Sequence, residues 1–168
     1  YIFFKKTKAM KTNLEKEKQQ LLESERRKFV LLDNLPGMAY RCHFDRNRTM
    51  QFISQGCFEL TGYETEDLLH NKAFSFNHLI SPEHQDYLWN QWNEALRAKA
   101  KLKEEYPIVT ATGETKWVFE QGEGVFDEEG NAISLEGFII DITKRKKQEM
   151  MQIYLNEHDS LTGLYNHR

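Results

Sequence analysis

A proline-glycine pair, Pro36-Gly37, divides the chain into two patterns of apolar residues that cannot belong to one element. Residues 7–32 contain neither glycine nor proline and are dense in Lys, Glu, Gln and Leu, which favours one long helix. From Met38 to Phe44 apolar and polar residues alternate, as in a strand with one buried face. We therefore expect a helical arm, followed by a domain that contains a sheet.

The predicted N-terminal helix, assigned to residues 1–28 as a linker, has only a thin apolar stripe. The stripe consists of Met10, Leu14, Leu21, Leu31 and Leu32, and Glu17, Ser24 and Lys28 interrupt the heptad positions. Because such a helix is marginal by itself, we expect it to pair with its copy in a homodimer. A solvated monomeric arm is the alternative.

The first residues of the chain leave two interpretations open. An apolar segment at residues 1–4 is followed by Lys5, Lys6, Lys8 and Lys11, a pattern typical of the cytoplasmic end of a transmembrane helix. In that case the parent protein is anchored in the inner membrane and this domain is cytoplasmic. A frayed amphipathic helix start explains the same residues. The chain has no run near the ~20 apolar residues that a membrane span requires.

Composition excludes several classes of function. With 168 residues, 39% of them hydrophobic, the chain can bury one core of ordinary size. The net charge of −3 argues against nucleic-acid binding, which requires a sustained positive field. Cys42 and Cys57 are far apart and lack a CxxC or histidine-rich context, so we predict neither a metal site nor a disulfide. Two buried thiols are expected.

The order of elements after Gly37 identifies the fold class. Strands are predicted at 38–44 and 50–53, short helices at 56–60 and 64–69, a longer helix from Pro82 to about Lys99 with Ser81 as its cap, and strands at 106–110, 116–121 and 132–142. A charged exit helix follows. This order resembles a PAS sensor domain, with SQGCFELTGYETEDLL, SPEHQDYLWNQW, GETKWVFEQGEGVFDEEGN and EGFIIDITKRK as the matching segments. The resemblance implies an α+β fold of the PAS type.

In detail, the resemblance implies a five-stranded antiparallel sheet with short helices on one face, around a small pocket, flanked by N- and C-terminal signalling helices. We place the PAS domain at residues 29–143 and the exit helix at 144–157. The last eleven residues, HDSLTGLYNHR, resemble the start of a GGDEF diguanylate cyclase domain, so 158–168 is expected to begin such a domain in cis. The matching residues are Asp159, Leu161, Thr162, Gly163, Leu164 and Asn166, and His167 departs from the pattern.

No catalytic residues are predicted in this chain. The signature motif of a cyclase is absent, and Gly122-Glu123-Gly124 lacks the carboxylates that would hold Mg²⁺. No Ser/His/Asp set, phosphate-binding glycine loop or pair of carboxylates appears either. The expected function is therefore regulation of the attached cyclase, and not enzymatic activity of this part. Two alternatives stay open: a PAS domain that is only a passive spacer in a protein for cyclic di-GMP synthesis, and a PAS module of a histidine kinase.

A ligand site is predicted at Phe58, His78, Trp92 and Phe119, between the sheet and the helices. Haem would require an apolar-lined histidine, for which His78 is the best candidate, although a structural role explains it better. Cys57 lies outside the Asn-Cys-Arg-Phe context of a photoreactive flavin site. Aromatic side chains such as Trp92 suit a small organic ligand, but also an ordinary core. We expect no cofactor, or else a small organic ligand.

Signal transmission is assigned to Asp141 and Thr143, where the last strand meets the exit helix. The Asp141 carboxylate or the Thr143 hydroxyl can accept hydrogen bonds from the exposed N–H groups of that helix. Such a cap is a suitable hinge between core and helix. An ordinary cap without a switching role is the alternative.

Overall fold

A computed structural model describes residues 2–158 of the chain. The tail at 159–168, on which the resemblance to a cyclase mostly rests, lies outside the described residues. The elements in chain order are α1 (Ile2–Asp33), β1 (Met38–Cys42), β2 (Met50–Ile53), α2 (Cys57–Thr61), α3 (Thr65–Leu68), α4 (Phe76–Leu79), α5 (Pro82–Ala98), β3 (Leu102–Val109), β4 (Thr115–Phe126), β5 (Ala132–Asp141) and α6 (Thr143–Glu157). The chain divides into two compact units between Leu35 and Pro36.

The first unit is the helix α1, which is 32 residues long and has no buried residue. Its apolar side chains Met10, Leu14 and Leu21 are 71%, 67% and 61% exposed. The helix ends where the amide of Asn34 donates a 2.7 Å hydrogen bond to the carbonyl oxygen of Val30. Pairing of α1 with a second copy stays a prediction. Within residues 2–158, no helix combines the length and the apolar content needed to cross a membrane.

The second unit is built on one five-stranded sheet with the strand order β2-β1-β5-β4-β3. All four neighbouring pairs are antiparallel. The first and last strands of the unit therefore lie side by side in the middle of the sheet, because β1 pairs with β5. The predicted fold class, a five-stranded antiparallel sheet with helices, is confirmed.

The apolar core lies between one face of the sheet and the helices α2 to α5. Its fully buried members include Met38, Leu68, Phe76, Leu79, Ile80, Ile108, Val118, Leu135 and Ile139. Both cysteines are buried there with free thiols. Burial raises the pKa of the Cys42 thiol to about 11, so Cys42 stays protonated and unreactive.

Three local features differ from the sequence prediction. The short helix α4 was not predicted, because four residues are too few to show a helical period. Strand β3 begins at Leu102 rather than Tyr106, since an edge strand tolerates charged residues such as Lys103 on its open side. Ser81 does not cap α5 with its side chain; its backbone N–H instead donates to the carbonyl oxygen of Pro107, which ties the helix start to the sheet.

Candidate functional site

A buried ion pair occupies the space between the sheet and the helices. Strand β4 carries Glu120, whose side chain is fully buried, and the loop between β1 and β2 supplies Arg48, whose side chain is 5% exposed. Arg48 donates from Nη1 to Oε2 of Glu120 at 3.0 Å and from Nη2 to Oε1. The backbone of Arg48 has φ of 54°, in the left-handed region, which lets the loop turn this side chain into the core.

Two tyrosines complete the hydrogen bonding of the Glu120 carboxylate. Tyr40 on β1 donates to Oε1, and Tyr106 on β3 donates to Oε2 at 2.8 Å. The Tyr106 hydroxyl also accepts a 3.3 Å hydrogen bond from Nη1 of Arg48. The carboxylate thus accepts four hydrogen bonds. We call these four residues, Tyr40, Arg48, Tyr106 and Glu120, the buried polar cluster.

The electrostatics of the buried polar cluster favour the charged form of Arg48. Burial alone would lower the pKa of Arg48, but the Glu120 carboxylate, together with the smaller effects of Tyr40, Tyr106 and Cys42, more than compensates, and the pKa of Arg48 lies well above its ordinary value. The pKa values of Tyr40 and Tyr106 are raised, first by burial and then by the Glu120 charge. Both phenols therefore remain protonated donors. The charges of Arg48 and Glu120 balance each other, and every residue of the buried polar cluster is hydrogen-bonded to another member.

Aromatic rings from strand β1 and from helices α4 and α5 surround the Arg48 guanidinium. Its central carbon lies 5.1 Å from the ring centroids of Tyr40 and Phe76 and 6.0 Å from that of Trp92. The faces of such rings attract a cation, most strongly where water is excluded. Gly122 on β4 makes room for this packing, because a Cβ atom there would lie 2.8 Å from both the Trp92 ring and the Tyr40 hydroxyl.

A small cavity lies next to the buried polar cluster. The space open to the centre of a water molecule measures about 20 Å³, and its walls include Arg48, Leu88, Trp92 and Leu135. Phe44 and Trp89 at its edge stack with ring centroids 4.8 Å apart. Two buried N–H groups of the walls, Arg48 Nε and Trp92 Nε1, have no hydrogen-bond partner among residues 2–158. The cavity is therefore polar on one side and apolar on the other.

The junction between β5 and α6 is held by hydrogen bonds. The Asp141 carboxylate accepts a 2.9 Å hydrogen bond from the backbone N–H of Thr143, the first residue of α6. Its other oxygen lies 3.5 Å from the Lys116 ammonium. Burial alone would raise the pKa of Asp141, but the hydrogen bonds from Thr143 and the Lys116 charge keep it below its ordinary value. The Thr143 hydroxyl accepts a 3.0 Å hydrogen bond from the backbone N–H of Trp117 on β4.

Ion pairs fasten the first turn of α6 to the edge strand β3. Glu105 binds Arg145 at 2.5 Å and Lys146 at 2.6 Å. The Lys146 ammonium also lies 5.0 Å from the ring centroid of Trp117. The pKa of Glu105 is lowered, chiefly because Lys146 and then Arg145 donate hydrogen bonds to it. We call Glu105, Trp117, Thr143, Arg145 and Lys146 the helix anchor.

The structure brings together only part of the predicted ligand site. Trp92 is 2% exposed and lines the cavity. Phe58 on α2 is 54% exposed, and His78 on α4 is also exposed. Phe119 neighbours Glu120 on β4, so its side chain points to the opposite face of the sheet, where its ring lies 6.5 Å from that of Phe138. Ligand binding by any of these residues stays a prediction.

Sequence reasoning missed the buried polar cluster. The sequence contained one signal for Glu120. Because the alternation in β4 places Glu120 on the same face of the strand as Val118, burial of the valine also buries the carboxylate. No comparable signal marked Arg48, which lies in a polar turn that is typical of solvent-exposed residues. Its partner is 72 residues away in the sequence.

Comparisons with known proteins agree with this architecture. The family model described as PAS fold matches residues 51–139, more than half of the chain. A curated relative, "Uncharacterized protein y4lL" of Sinorhizobium fredii, is 24% identical over 155 residues, which cover 88% of this chain. The match spans only 18% of the length of that relative.

Solved structures show the same fold at low sequence identity. The PAS domain of a Colwellia psychrerythraea protein is 18% identical, with a TM-score of 0.62, covering 74% of this chain and 99% of that one. The N-terminal domain of a diguanylate cyclase with PAS/PAC sensor from Marinobacter aquaeolei is 17% identical, with a TM-score of 0.53, covering 66% and 98%. A sensory box histidine kinase/response regulator from Burkholderia thailandensis is 20% identical, with a TM-score of 0.57, covering 70% and 84%. With its sheet order, its helices on one face and this family match, the chain belongs to the PAS fold family.

Proposed function

We propose that this chain is a sensory and dimerisation module that regulates a C-terminal diguanylate cyclase through α6. The helix anchor carries the proposal, because it binds the first turn of α6 to strands β3 and β4. Among residues 2–158, α6 is the only helix that follows the sheet. Any rearrangement of β3 or β4 would move or release α6. The resemblance of residues 158–168 to the start of a GGDEF domain supplies the output.

Two strands connect the candidate site with the helix anchor. Strand β4 carries both Glu120, in the buried polar cluster, and Trp117, in the helix anchor. Strand β3 carries Tyr106 of the cluster next to Glu105 of the anchor. Neighbouring residues of a strand point to opposite faces, so the sheet presents the cluster on one face and the anchor on the other. A change inside the core can therefore reach α6 through the sheet.

The proposed module acts as a homodimer through α1. It is placed in the cytoplasm, and the parent protein is anchored in the inner membrane by a transmembrane helix that ends at residues 1–4. The exposed apolar side chains of α1, including Met10, Leu14 and Leu21, support the dimer. A histidine kinase is the second candidate for the output, because similar structures include a histidine kinase/response regulator. A passive spacer is the third.

The test uses the complete gene product. Deleting residues 29–147 should change the rate of cyclic di-GMP synthesis and abolish its response to any signal. A fully active and unchanged cyclase after this deletion would support the passive spacer. Phosphoryl transfer to a histidine, without synthesis of cyclic di-GMP, would contradict the cyclase and favour the kinase.

A further inference from the structure

The backbone at the entry to the second unit is packed directly against strand β5. Gly37, which precedes β1, has φ of 116°, a conformation that favours glycine. A Cβ atom on Gly37 would collide with the carbonyl oxygen of Ile139 on β5 and would lie 2.9 Å from Cγ2 of Ile140. No side chain fits between Gly37 and this strand.

The start of α2 holds Gly37 from another direction. Gly56 has an ordinary helical φ of −62°, so its backbone conformation does not require glycine. A Cβ atom on Gly56 would nevertheless collide with the carbonyl oxygen of Gly37 and would lie 2.7 Å from its carbonyl carbon. The two backbones are therefore in direct contact, and any side chain at Gly56 would push them apart.

The buried Ser54 fixes the strand that follows Gly37. Its hydroxyl accepts a 2.9 Å hydrogen bond from the backbone N–H of Ala39. The backbone N–H of Ser54 donates a 2.9 Å hydrogen bond to the carbonyl oxygen of the same residue. We call Gly37, Ala39, Ser54, Gly56 and Ile139 the entry clamp.

The entry clamp and the start of α6 share the end of β5. Met38 pairs with Ile139 on β5. Asp141 follows Ile139 by two residues, which is about 7 Å along a strand, and accepts a hydrogen bond from the first residue of α6. The chain thus enters and leaves the second unit at neighbouring positions of one strand. Because close-packed atoms transmit strain, a displacement at the entry should reach the start of α6.

We infer that the entry clamp is a coupling device, which transmits a displacement of α1 to α6 through the end of β5. The inference rests on the proposed role of α6 as the output helix and adds an input to it. In the proposed function a change begins inside the core and reaches α6 through β3 and β4. The entry clamp gives α1 a separate route, which requires no change in the buried polar cluster.

Amide hydrogen exchange in the 168-residue chain tests the coupling. Gly56→Ala places a methyl group on the Gly37 carbonyl, so β1 must shift away from α2. The N–H of Lys146 donates to the carbonyl oxygen of Ile142 and reports on the first turn of α6. Its exchange should become about fivefold faster in Gly56→Ala, because exchange follows local opening. The N–H of Ser81, which donates to Pro107 at the far edge of the sheet, is the reference and should change less.

Two further variants separate coupling from general loss of stability. Gly130→Ala is the matched control, because Gly130 has φ of 87° but a Cβ atom there would meet no atom within 4 Å. It strains a hairpin without moving the entry clamp, so the ratio of Lys146 exchange to Ser81 exchange should stay unchanged. Ser54→Ala removes the hydroxyl that binds Ala39 without adding an atom, and it should raise that ratio if Gly56→Ala does not fold.

Equal acceleration at Lys146 and Ser81 in both clamp variants would overturn the inference, because the entry clamp would then only stabilise the fold. Unchanged exchange at Lys146, with faster exchange at Ala39, would overturn it as well.

The input from α1 is tested in the complete gene product. Each alanine inserted after Glu25 rotates the upstream part of α1 by about 100° relative to the entry clamp. The rate of cyclic di-GMP synthesis over one to seven insertions should vary with a period of about 3.6 residues, and Ser54→Ala should reduce the variation. A rate that does not follow this period would reject the input from α1.

These experiments distinguish failure of the coupling from failure of the proposed function. Exchange at Lys146 that ignores the entry clamp, in a protein whose cyclase depends on residues 29–147, would reject the coupling and keep the function. Coupled exchange in a protein whose cyclase ignores residues 29–147 would keep the link between the entry clamp and α6 and reject the function.

Discussion

Replacing Arg48 with methionine should strongly destabilise the domain. Glu120 would remain a fully buried carboxylate without a cation, and removing one partner of a buried ion pair typically costs about 3–5 kcal/mol of unfolding free energy. Solvent screening does not reduce this figure, because the side chains of Arg48 and Glu120 are 5% and 0% exposed. Domains of this kind are stable by about 5–15 kcal/mol in total, so the loss should be a large fraction of the whole.

A double-mutant cycle gives the prediction its control. Arg48→Met combined with Glu120→Gln removes both charges and leaves an amide oxygen that can still accept from Tyr40 or Tyr106. Because the uncompensated charge is gone, the double variant should recover at least half of the stability lost in Arg48→Met. Glu120→Gln alone should be destabilised comparably to Arg48→Met, since it leaves Arg48 as an unpaired buried cation.

Equilibrium unfolding in urea, followed by tryptophan fluorescence, measures all four proteins of the cycle. The slope of the free energy against urea should stay constant, so that the differences reflect native stability. A loss below about 1 kcal/mol in Arg48→Met would refute the reasoning, because that value is typical of an exposed pair. Strict additivity of the two single changes would refute it as well, since residues in direct contact should couple.

Three further predictions concern the helix anchor, the N-terminal helix and the cofactor. Lys146 and Arg145 lower the pKa of Glu105. The stabilisation of α6 by Glu105 should therefore be complete above the unfolded-state pKa of about 4.3 and should be lost as the pH falls through the lower folded-state pKa. Glu105→Gln should abolish this pH dependence, which NMR can follow through the helicity of α6. Deleting residues 1–28 should shift sedimentation toward the monomer while the circular dichroism of the sheet persists, and an unchanged dimer would place the interface on the PAS domain. The purified protein should be colourless, and a visible absorption band that disappears in His78→Ala would contradict this expectation.

The sequence was sufficient for most of the element order, from which the resemblance to a PAS domain implied the fold, because its strongest signals are local. Alternation in β1 and β4, the absence of glycine and proline in α1 and the left-handed Gly62 that ends α2 each reflect backbone geometry within a few residues. Short or charged elements gave weaker signals. The first residues of strand β3 include the charged Lys103, Glu104 and Glu105, and only their pairing with β4 makes them part of a strand.

The candidate site depends instead on contacts between distant parts of the chain. Trp92 was identified because a buried aromatic residue has a helical period around it, whereas Arg48 and Glu120 look like solvent-exposed residues until the fold buries them together. Phe119 was predicted to face the helices, but its side chain lies on the opposite face of the sheet. The alternation of β4 defines two sets of side chains, but the sequence does not state which set faces the helices.

The claim that α6 transmits a signal from the core is tested most directly by the output of the complete gene product with an altered helix anchor. Thr143→Ala removes the hydroxyl that binds Trp117, and Arg145→Gln weakens the bond to Glu105. Lys144→Gln serves as the control, because it makes the same charge change as Arg145→Gln. Lys144 is exposed and forms no ion pair within residues 2–158. Losing the hydrogen bond between the Thr143 hydroxyl and Trp117 changes local stability by about 1 kcal/mol, which corresponds to a roughly fivefold shift of a two-state balance.

Thr143→Ala and Arg145→Gln should change the rate of cyclic di-GMP synthesis, or its response to a signal, several-fold, while Lys144→Gln should leave both unchanged. The melting temperature of the 168-residue chain should fall only slightly in each variant. Rates and responses equal to those of the unaltered protein in Thr143→Ala and Arg145→Gln, with the same small loss of stability, would contradict signal transmission through α6 and leave the helix anchor as an ordinary structural contact.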